Sequence, residues 1–249
     1  MSGAQAMVLA AGRGERMRPL TDTCPKPLLQ VQGKPLLQYH LEALARAGFS
    51  DVVVNTAWLG EQIENRFALY PPADGPEPLS NSQQPRIHYS REGRDFGGAL
   101  ETAGGIARAL PLLDEVFWLA GGDVYVPGFA FSRAALERFA ASGKLAHLLL
   151  VANPLHNPKG DFGLRADGLA LNTADTRYTY STLGLYRKTL FAGLPGGNPD
   201  GIKAPLAPLL RAAMDNGQVT AEVYSGAWTD VGTPERLAQL NAAPSRAEI

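Results

Sequence analysis

At 249 residues, 45% hydrophobic and 19% charged, the chain can bury a sizeable core as one globular domain, or as one domain with a small extension. A formal net charge of −1 and a pI near 6.4 exclude a long-range field for nucleic acid or an anionic membrane, so any phosphate recognition must be local. One cysteine, Cys24, excludes a disulfide framework and a cysteine metal cluster, and no uninterrupted apolar stretch approaches the ~18 residues of a membrane helix. A soluble, reducing, cytoplasmic setting is expected, and no leader, because no basic region precedes the first apolar run.

Met7 to Ala10 predict a short buried strand, after which Gly12 and Gly14 free the backbone to approach a ligand. Arg13, Arg16, Arg18 and Lys26 fall within fourteen residues, against Glu15 and Asp22. Cationic side chains beside bare N–H groups suit a polyanion such as a nucleoside triphosphate. Pro25 and Pro27 fix φ on both sides of Lys26, so a pre-aimed lysine loses less entropy there. That counts against reading the loop as a solvated, Arg-rich connection. A dinucleotide fingerprint would need glycine at Met17 and an acidic residue closing the next strand, which instead ends at Asn55. No G-x-x-x-x-G-K-[ST] string occurs.

Further along, Pro35 is placed as the first residue of a helix with Leu37, Leu41, Leu44 and Ala45 on its apolar face and Gly48 at its end. Asp51 to Asn55 predicts a strand, Ile63, Phe67 and Tyr70 a helix, and Pro71 to Pro85 a surface insertion before a strand at Ile87 to Tyr89. Leu100 to Leu110 follows as a helix and Val116 to Ala120 as a buried strand. Alternating βα units of this kind imply a mostly parallel, doubly wound α/β sheet. Ligands then lie beyond the carboxyl ends of the strands, where the opening loop meets Gly121-Gly122-Asp123. Magnesium takes hard oxygen ligands, so Asp123 needs one carboxylate partner.

The second half predicts a helix over Phe131 to Ser142, a strand over Ala146 to Ala152, and a hairpin turning at Asp167-Gly168 that adds antiparallel strands to the acceptor side of the cleft. Thr179 to Tyr186 reads as a strand, Pro205 to Asn216 as a helix closed by Gly217, and Val219 to Tyr224 as a strand. Thr233 then caps a helix with Pro234 in its first turn, and Asp230 stands before it as the second candidate carboxylate. The histidines, His40, His88, His147 and His156, have no H-E-x-x-H or triad spacing.

Leu9-Ala-Ala-Gly-Arg-Gly-Glu-Arg-Met-Arg-Pro-Leu-Thr21, followed by Pro25-Lys26-Pro27-Leu28, resembles the signature of the sugar-1-phosphate nucleotidyltransferases, and the resemblance runs to about Leu237. It implies a Rossmann-like, mostly parallel mixed sheet with an added antiparallel sugar-side hairpin. It also implies one domain over 1–249, with a nucleotide-binding half at 1–130 and a sugar-phosphate half at 131–241. By the same resemblance Ala10, Ala11, Gly12, Arg13, Gly14, Glu15 and Arg16 hold the nucleotide with Lys26, and Glu92, Glu101 and Thr102 lie on its base side. Gly121, Gly160, Asp161, Ser181 and Thr182 face the sugar phosphate. Lys203, with Lys159 and Arg165, lies in a segment expected to line that acceptor side and is a candidate cation for an acidic group of the sugar phosphate. Asp123 and Asp230 bind magnesium, and Lys26, Arg16 and Asp123 carry catalysis.

The implied reaction joins a nucleoside triphosphate to a sugar 1-phosphate, with uridine triphosphate and N-acetylmuramate 1-phosphate favoured over thymidylyl transfer to glucose 1-phosphate or guanylyl transfer to mannose 1-phosphate. The rival from another class is a nucleotide-sugar sensor without turnover, which loss of Lys26 or either aspartate would have favoured. Three positions depart from the family's uridylyltransferases, which usually carry asparagine at Gly121, a short E-P-L in place of Gly93 to Ala99, and glycine at Thr182. The chain is also expected to lack the C-terminal β-helix of some members.

Overall fold

Short apolar runs buried on both faces build the centre of the molecule. The computed structural model describes residues 3–68 and 85–242. Its first half contains β1 (Ala4–Ala10), α1 (Leu20–Thr23), β2 (Gln30–Val31), β3 (Lys34–Pro35), α2 (Leu36–Arg46), β4 (Asp51–Thr56), α3 (Gly60–Phe67), β5 (Arg86–Arg91), α4 (Glu92–Phe96), α5 (Glu101–Ala109) and β6 (Leu113–Gly121). The second contains β7 (Val124–Tyr125), α6 (Arg133–Ser142), β8 (Ala146–Val151), β9 (Gly163–Leu164), β10 (Ala170–Leu171), β11 (Thr179–Arg187), α7 (Leu206–Asp215), β12 (Val219–Val223), β13 (Thr229–Asp230) and α8 (Pro234–Ala242).

Seven strands form one sheet in the order β12-β8-β11-β6-β1-β4-β5. β1 runs parallel to β4 and β6, β4 to β5, and β12 to β8, while β11 is antiparallel to both of its neighbours. The expected mostly parallel mixed sheet is therefore present. Alternation along each strand divides the core. Met7, Val53, Phe117 and Leu119 pack under α5 and α7, with Ile106, Leu210 and Met214. On the other face, Val8, Val54, Trp118 and Ala120 pack under α2, α3 and α6, with Leu41, Ile63 and Phe139. Burial of a side chain such as Leu41 stabilises the fold by about 2 kcal/mol.

Pro35 differs from its expected place inside the helix. It is extended (φ −55°, ψ 140°) and pairs with Gln30 in the β2–β3 hairpin, so α2 begins at Leu36, whose N–H donates to Leu29 O. The predicted helix marker Tyr70 and the insertion, apart from Pro85, lie outside the described residues. The hairpin at Asp167-Gly168 forms as β9–β10, but a bridge from Leu169 to Thr220 ties it to β12, the far edge of the sheet. β11 instead brings antiparallel chain to the cleft: because it opposes β6, its early residues lie where the parallel strands end.

Candidate active site

The opening loop, the β6–β7 turn and the start of α5 surround a cleft of about 420 Å³. Ala10, Ala11, Gly12, Gly14, Glu15, Arg16 and Lys26 line it from the loop side. Glu92, Glu101 and Thr102 do so from beyond β5, and Gly121, Asp123 and Thr182 from β6 and β11. Leu9, Met17, Pro27, Asn55, Ala99 and Gly232, none of them named from sequence as a ligand-binding residue, complete the lining.

Two glycines shape the loop for different reasons. A Cβ on Gly12 would meet only open space, so that backbone faces a ligand-sized void. Gly14 takes φ +69°, and a Cβ there would stand 3.0 Å from Thr21 Cγ2 and 3.4 Å from Lys26 Cβ. Its carbonyl accepts from Met17 N–H and from Thr21 Oγ1, both at 2.9 Å, which closes the turn that presents Arg16. Arg13 points elsewhere. Its guanidinium stacks 3.8 Å from the Trp58 ring and donates to Thr21 O and Asp22 Oδ1, each at 2.8 Å.

Lys26 is only 8% exposed, yet its Nζ reaches Asp123 Oδ2 at 2.7 Å. Leu28 and Leu29 N–H donate to Pro25 O and Lys26 O, so the Pro-Lys-Pro segment is a single tight turn whose lysine crosses to the β6 side. Asp123 is set by Gly122, whose N–H donates to Leu9 O at 2.8 Å; a Cβ at Gly122 would sit 2.5 Å from that oxygen. Beneath it, His40 is fully buried with Nε2 3.0 Å from Val124 O, and burial pushes its pKa down to about 4. It is neutral at pH 7.

Asp230 pairs with Val124 across β13–β7, and Val231 N–H donates to Asp123 O at 2.9 Å, so Asp123, in the β6–β7 turn, lies one step from Asp230 along the paired backbone. The Asp230 carboxylate contacts Arg236 and, at 3.1 Å, His156 Nε2. Burial, then the Arg236 and Arg16 charges, lowers the His156 pKa. Arg236, from the first turn of α8, escaped the sequence reading because its tie to Asp230 exists only after β13 pairs. Among the described residues no cluster of three or more His, Cys, Asp or Glu gathers as a metal site. Asp123 lines the cleft, whereas Asp230 stands behind its wall, engaged by Arg236 and His156; two hard carboxylates so close in the fold nevertheless form a donor set that fits magnesium.

At the other end, fully buried Glu92 accepts from Asn55 Nδ2 at 2.6 Å and from Leu100 N–H at 2.7 Å, while Asn55 Oδ1 accepts from Ala10 N–H at 2.8 Å. Burial raises the Glu92 carboxyl pKa. Asn55 therefore couples the opening loop to the start of α5. The strand end that spoke against a dinucleotide site is itself part of the cleft.

The remaining candidates are not brought to the cleft wall. Asp161 accepts from Tyr180 N–H at 2.8 Å and Asn157 Nδ2 at 3.2 Å, holding the loop that begins at Gly160 (φ +62°). Ser181 is fully buried and donates to Leu149 O at 2.7 Å. Lys159 and Lys203 are exposed, and Arg165 is paired with Asp167 beside a separate hollow near Met214.

Residues 5–166, more than half of the chain, match the family model described as nucleotidyl transferase. The chain is 44% identical over 246 residues to an N-acetylmuramate alpha-1-phosphate uridylyltransferase of Neisseria meningitidis, covering 96% of this chain and 97% of that protein. It is 31% identical to the protein of the same name from Caulobacter vibrioides, over 98% and 97% of the two chains. In structure it resembles the CTP:phosphocholine cytidylyltransferase of Streptococcus pneumoniae, with a TM-score of 0.69, 18% identity and coverage of 96% and 98%, a likeness of fold. The chain belongs to the nucleotidyl transferase family, as one of the sugar-1-phosphate nucleotidyltransferases that its opening motif resembles.

Proposed function

We propose that this enzyme joins uridine triphosphate to N-acetylmuramate 1-phosphate, forming the uridine diphosphate sugar and pyrophosphate, in the cytoplasmic reuse of cell-wall sugars. The observation that carries the chemistry is the ion pair at 2.7 Å between buried Lys26 and half-exposed Asp123, at the foot of a glycine-arginine loop. The substrate pair rests on the likeness to the uridylyltransferases.

Loop N–H groups from Ala11 to Arg16 bind the triphosphate, with Arg16 on the departing β- and γ-phosphates. Ala99, Glu101 and Thr102 receive the base, positioned through Asn55 and Glu92. A phosphate oxygen of the sugar attacks the α-phosphorus in line; that O–P bond forms as the bond to the β-phosphate bridging oxygen breaks, and pyrophosphate carries away the electron pair. The nucleophile is already an anion, so no general base is needed. Positioning and charge neutralisation do the catalysis. Asp123 and Asp230 would hold magnesium, which supplies further neutralisation of phosphate charge. Lys26 then offsets the charge that builds at the α-phosphate. In this division residues 1–130 serve mainly the nucleotide and 131–241 mainly the sugar phosphate, with Gly121 and Asp123 of the first half reaching the acceptor side.

Purified protein given magnesium, uridine triphosphate and N-acetylmuramate 1-phosphate is expected to release one pyrophosphate per nucleotide sugar formed. Binding of the nucleotide sugar with no pyrophosphate release would replace the enzyme reading with the sensor reading.

A further inference from the structure

Thr182 is a β-branched residue in the left-handed region, at φ +62°, inside a strand. Such a backbone is uncommon for any residue but glycine and is strained for a branched one. It persists where the surroundings leave no alternative. Here Ser181 donates to Leu149 O and accepts from Leu183 N–H at 3.1 Å, and Trp228 Nε1 donates to Ser181 O at 3.0 Å. The β11–β8 register slips between Tyr180 and Gly184, so these bonds take the place of the broken ladder.

Across β6 the register pairs Leu183 with Ala120, which sets Thr182 against Gly121. A Cβ at Gly121 would lie 2.5 Å from Thr182 Oγ1, 3.1 Å from Thr182 Cβ and 3.0 Å from Asp123 Oδ1. One volume of space beside Asp123 is thus shared by two positions, and in this chain Thr182 fills it. Thr182 Oγ1 donates to Ser181 O at 2.6 Å, so its proton is committed and only its lone pairs remain for a ligand. Across the sheet the order of cleft residues is Glu101 after β5, the loop after β1, Asp123 after β6, then Thr182 on β11. With the triphosphate on the β1 loop, Thr182 stands on the acceptor side.

We infer that Gly121 and Thr182 form one specificity element, in which the strained Thr182 side chain occupies the room left by Gly121 and offers a hydrogen-bond acceptor to an O–H or N–H of the sugar. This rests on the nucleotidyl transfer proposed above. A strained residue kept at a cleft wall is a cost to stability retained for its contact with substrate.

The test compares wild type, Thr182→Gly, Thr182→Ser, Gly121→Ala and the double variant Gly121→Ala/Thr182→Gly, by thermal unfolding and by kcat/KM for N-acetylmuramate, N-acetylglucosamine and glucose 1-phosphates with uridine triphosphate. Thr182→Gly should raise Tm by about 2–6 °C, lower kcat/KM for the preferred sugar about tenfold, and leave KM for the triphosphate unchanged. Thr182→Ser should keep the sugar preference. Gly121→Ala should lower Tm, and the double variant should recover it. An unchanged ranking and rate among the sugars in Thr182→Gly, or additive Tm changes in the double variant, would overturn the inference while leaving the reaction intact. Absence of turnover by wild type with every sugar would instead remove the reaction and, with it, the inferred specificity role.

Discussion

The two sides of the cleft are made by different means. On the nucleotide side, glycines, arginines and Lys26 come from one stretch of 15 residues, Gly12 to Lys26, and backbone freedom is supplied where a ligand must approach. On the proposed acceptor side, Asp123 and Thr182 come together, with Asp230 behind them, only because β6, β11 and β13 converge, and the backbone at Thr182 is strained and clamped. A phosphate site needs N–H groups and charge, which a local loop provides. A sugar site needs shape, which here comes from register between distant strands.

Removing the link between the sides should cost most. Lys26→Ala is expected to lower kcat at least a hundredfold, about 3–4 kcal/mol in transition-state binding, with a much smaller rise in KM for the triphosphate. A raised KM with unchanged kcat would make Lys26 a binding contact only.

The floor beneath Asp123 tests whether burial or charge holds the acceptor side together. His40 titrates near 6.5 when unfolded and about 4 when folded, so the protein binds fewer protons there than the unfolded chain. Its contribution is present above pH 6.5 and is lost as pH falls through 4, about 3 kcal/mol over that window. His40→Gln retains an N–H for Val124 O and should flatten the fall in urea midpoint between pH 6.5 and 4, although it starts less stable at pH 7. An equally steep fall would assign acid sensitivity elsewhere. Glu92 acts in the opposite sense, since a raised carboxyl pKa stabilises the fold at low pH and loses that contribution as pH rises through it.

Asp230→Asn keeps the strand pairing, because its backbone makes those bonds. It should raise the magnesium concentration needed for half-maximal rate about tenfold, roughly 1.4 kcal/mol. No change in that concentration would take Asp230 out of the metal site. The smallest effect is expected of Arg13→Ala, since Arg13 is spent on Trp58 and Asp22: KM for the triphosphate should rise less than threefold, and stability should fall by about 1 kcal/mol. Arg16→Ala, by contrast, should raise that KM tenfold or more. Equal effects of the two would erase the distinction drawn between them.

The sequence made the phosphate side legible because its residues are contiguous and their chemistry is local: glycines, a pre-aimed lysine and a carboxylate after a buried strand. Arg13 and Arg16 look alike in such a reading, and only the packing of Trp58 from a later segment separates them. Asn55 read as the end of a strand, and its role comes from bonds to Ala10 and Glu92, 45 and 37 residues away. Ser181 carried a site reading through the family resemblance, but its hydroxyl is consumed by the slipped register of β11. The positive φ of Thr182 has no local signal, since a threonine in an apolar alternating run predicts extended chain. The hairpin was predicted in form and differs in place, because strand order across the sheet is set by long-range pairing.

The most direct measurement is kcat/KM of the purified enzyme for N-acetylmuramate, N-acetylglucosamine, glucose and mannose 1-phosphates with the uridine, thymidine, guanosine and cytidine triphosphates. Uridine triphosphate with N-acetylmuramate 1-phosphate should exceed every other pair by tenfold or more. A tenfold preference for one of the other three sugar 1-phosphates would contradict the muramate assignment, and no pyrophosphate from any pair would contradict transfer at the Lys26–Asp123 cleft.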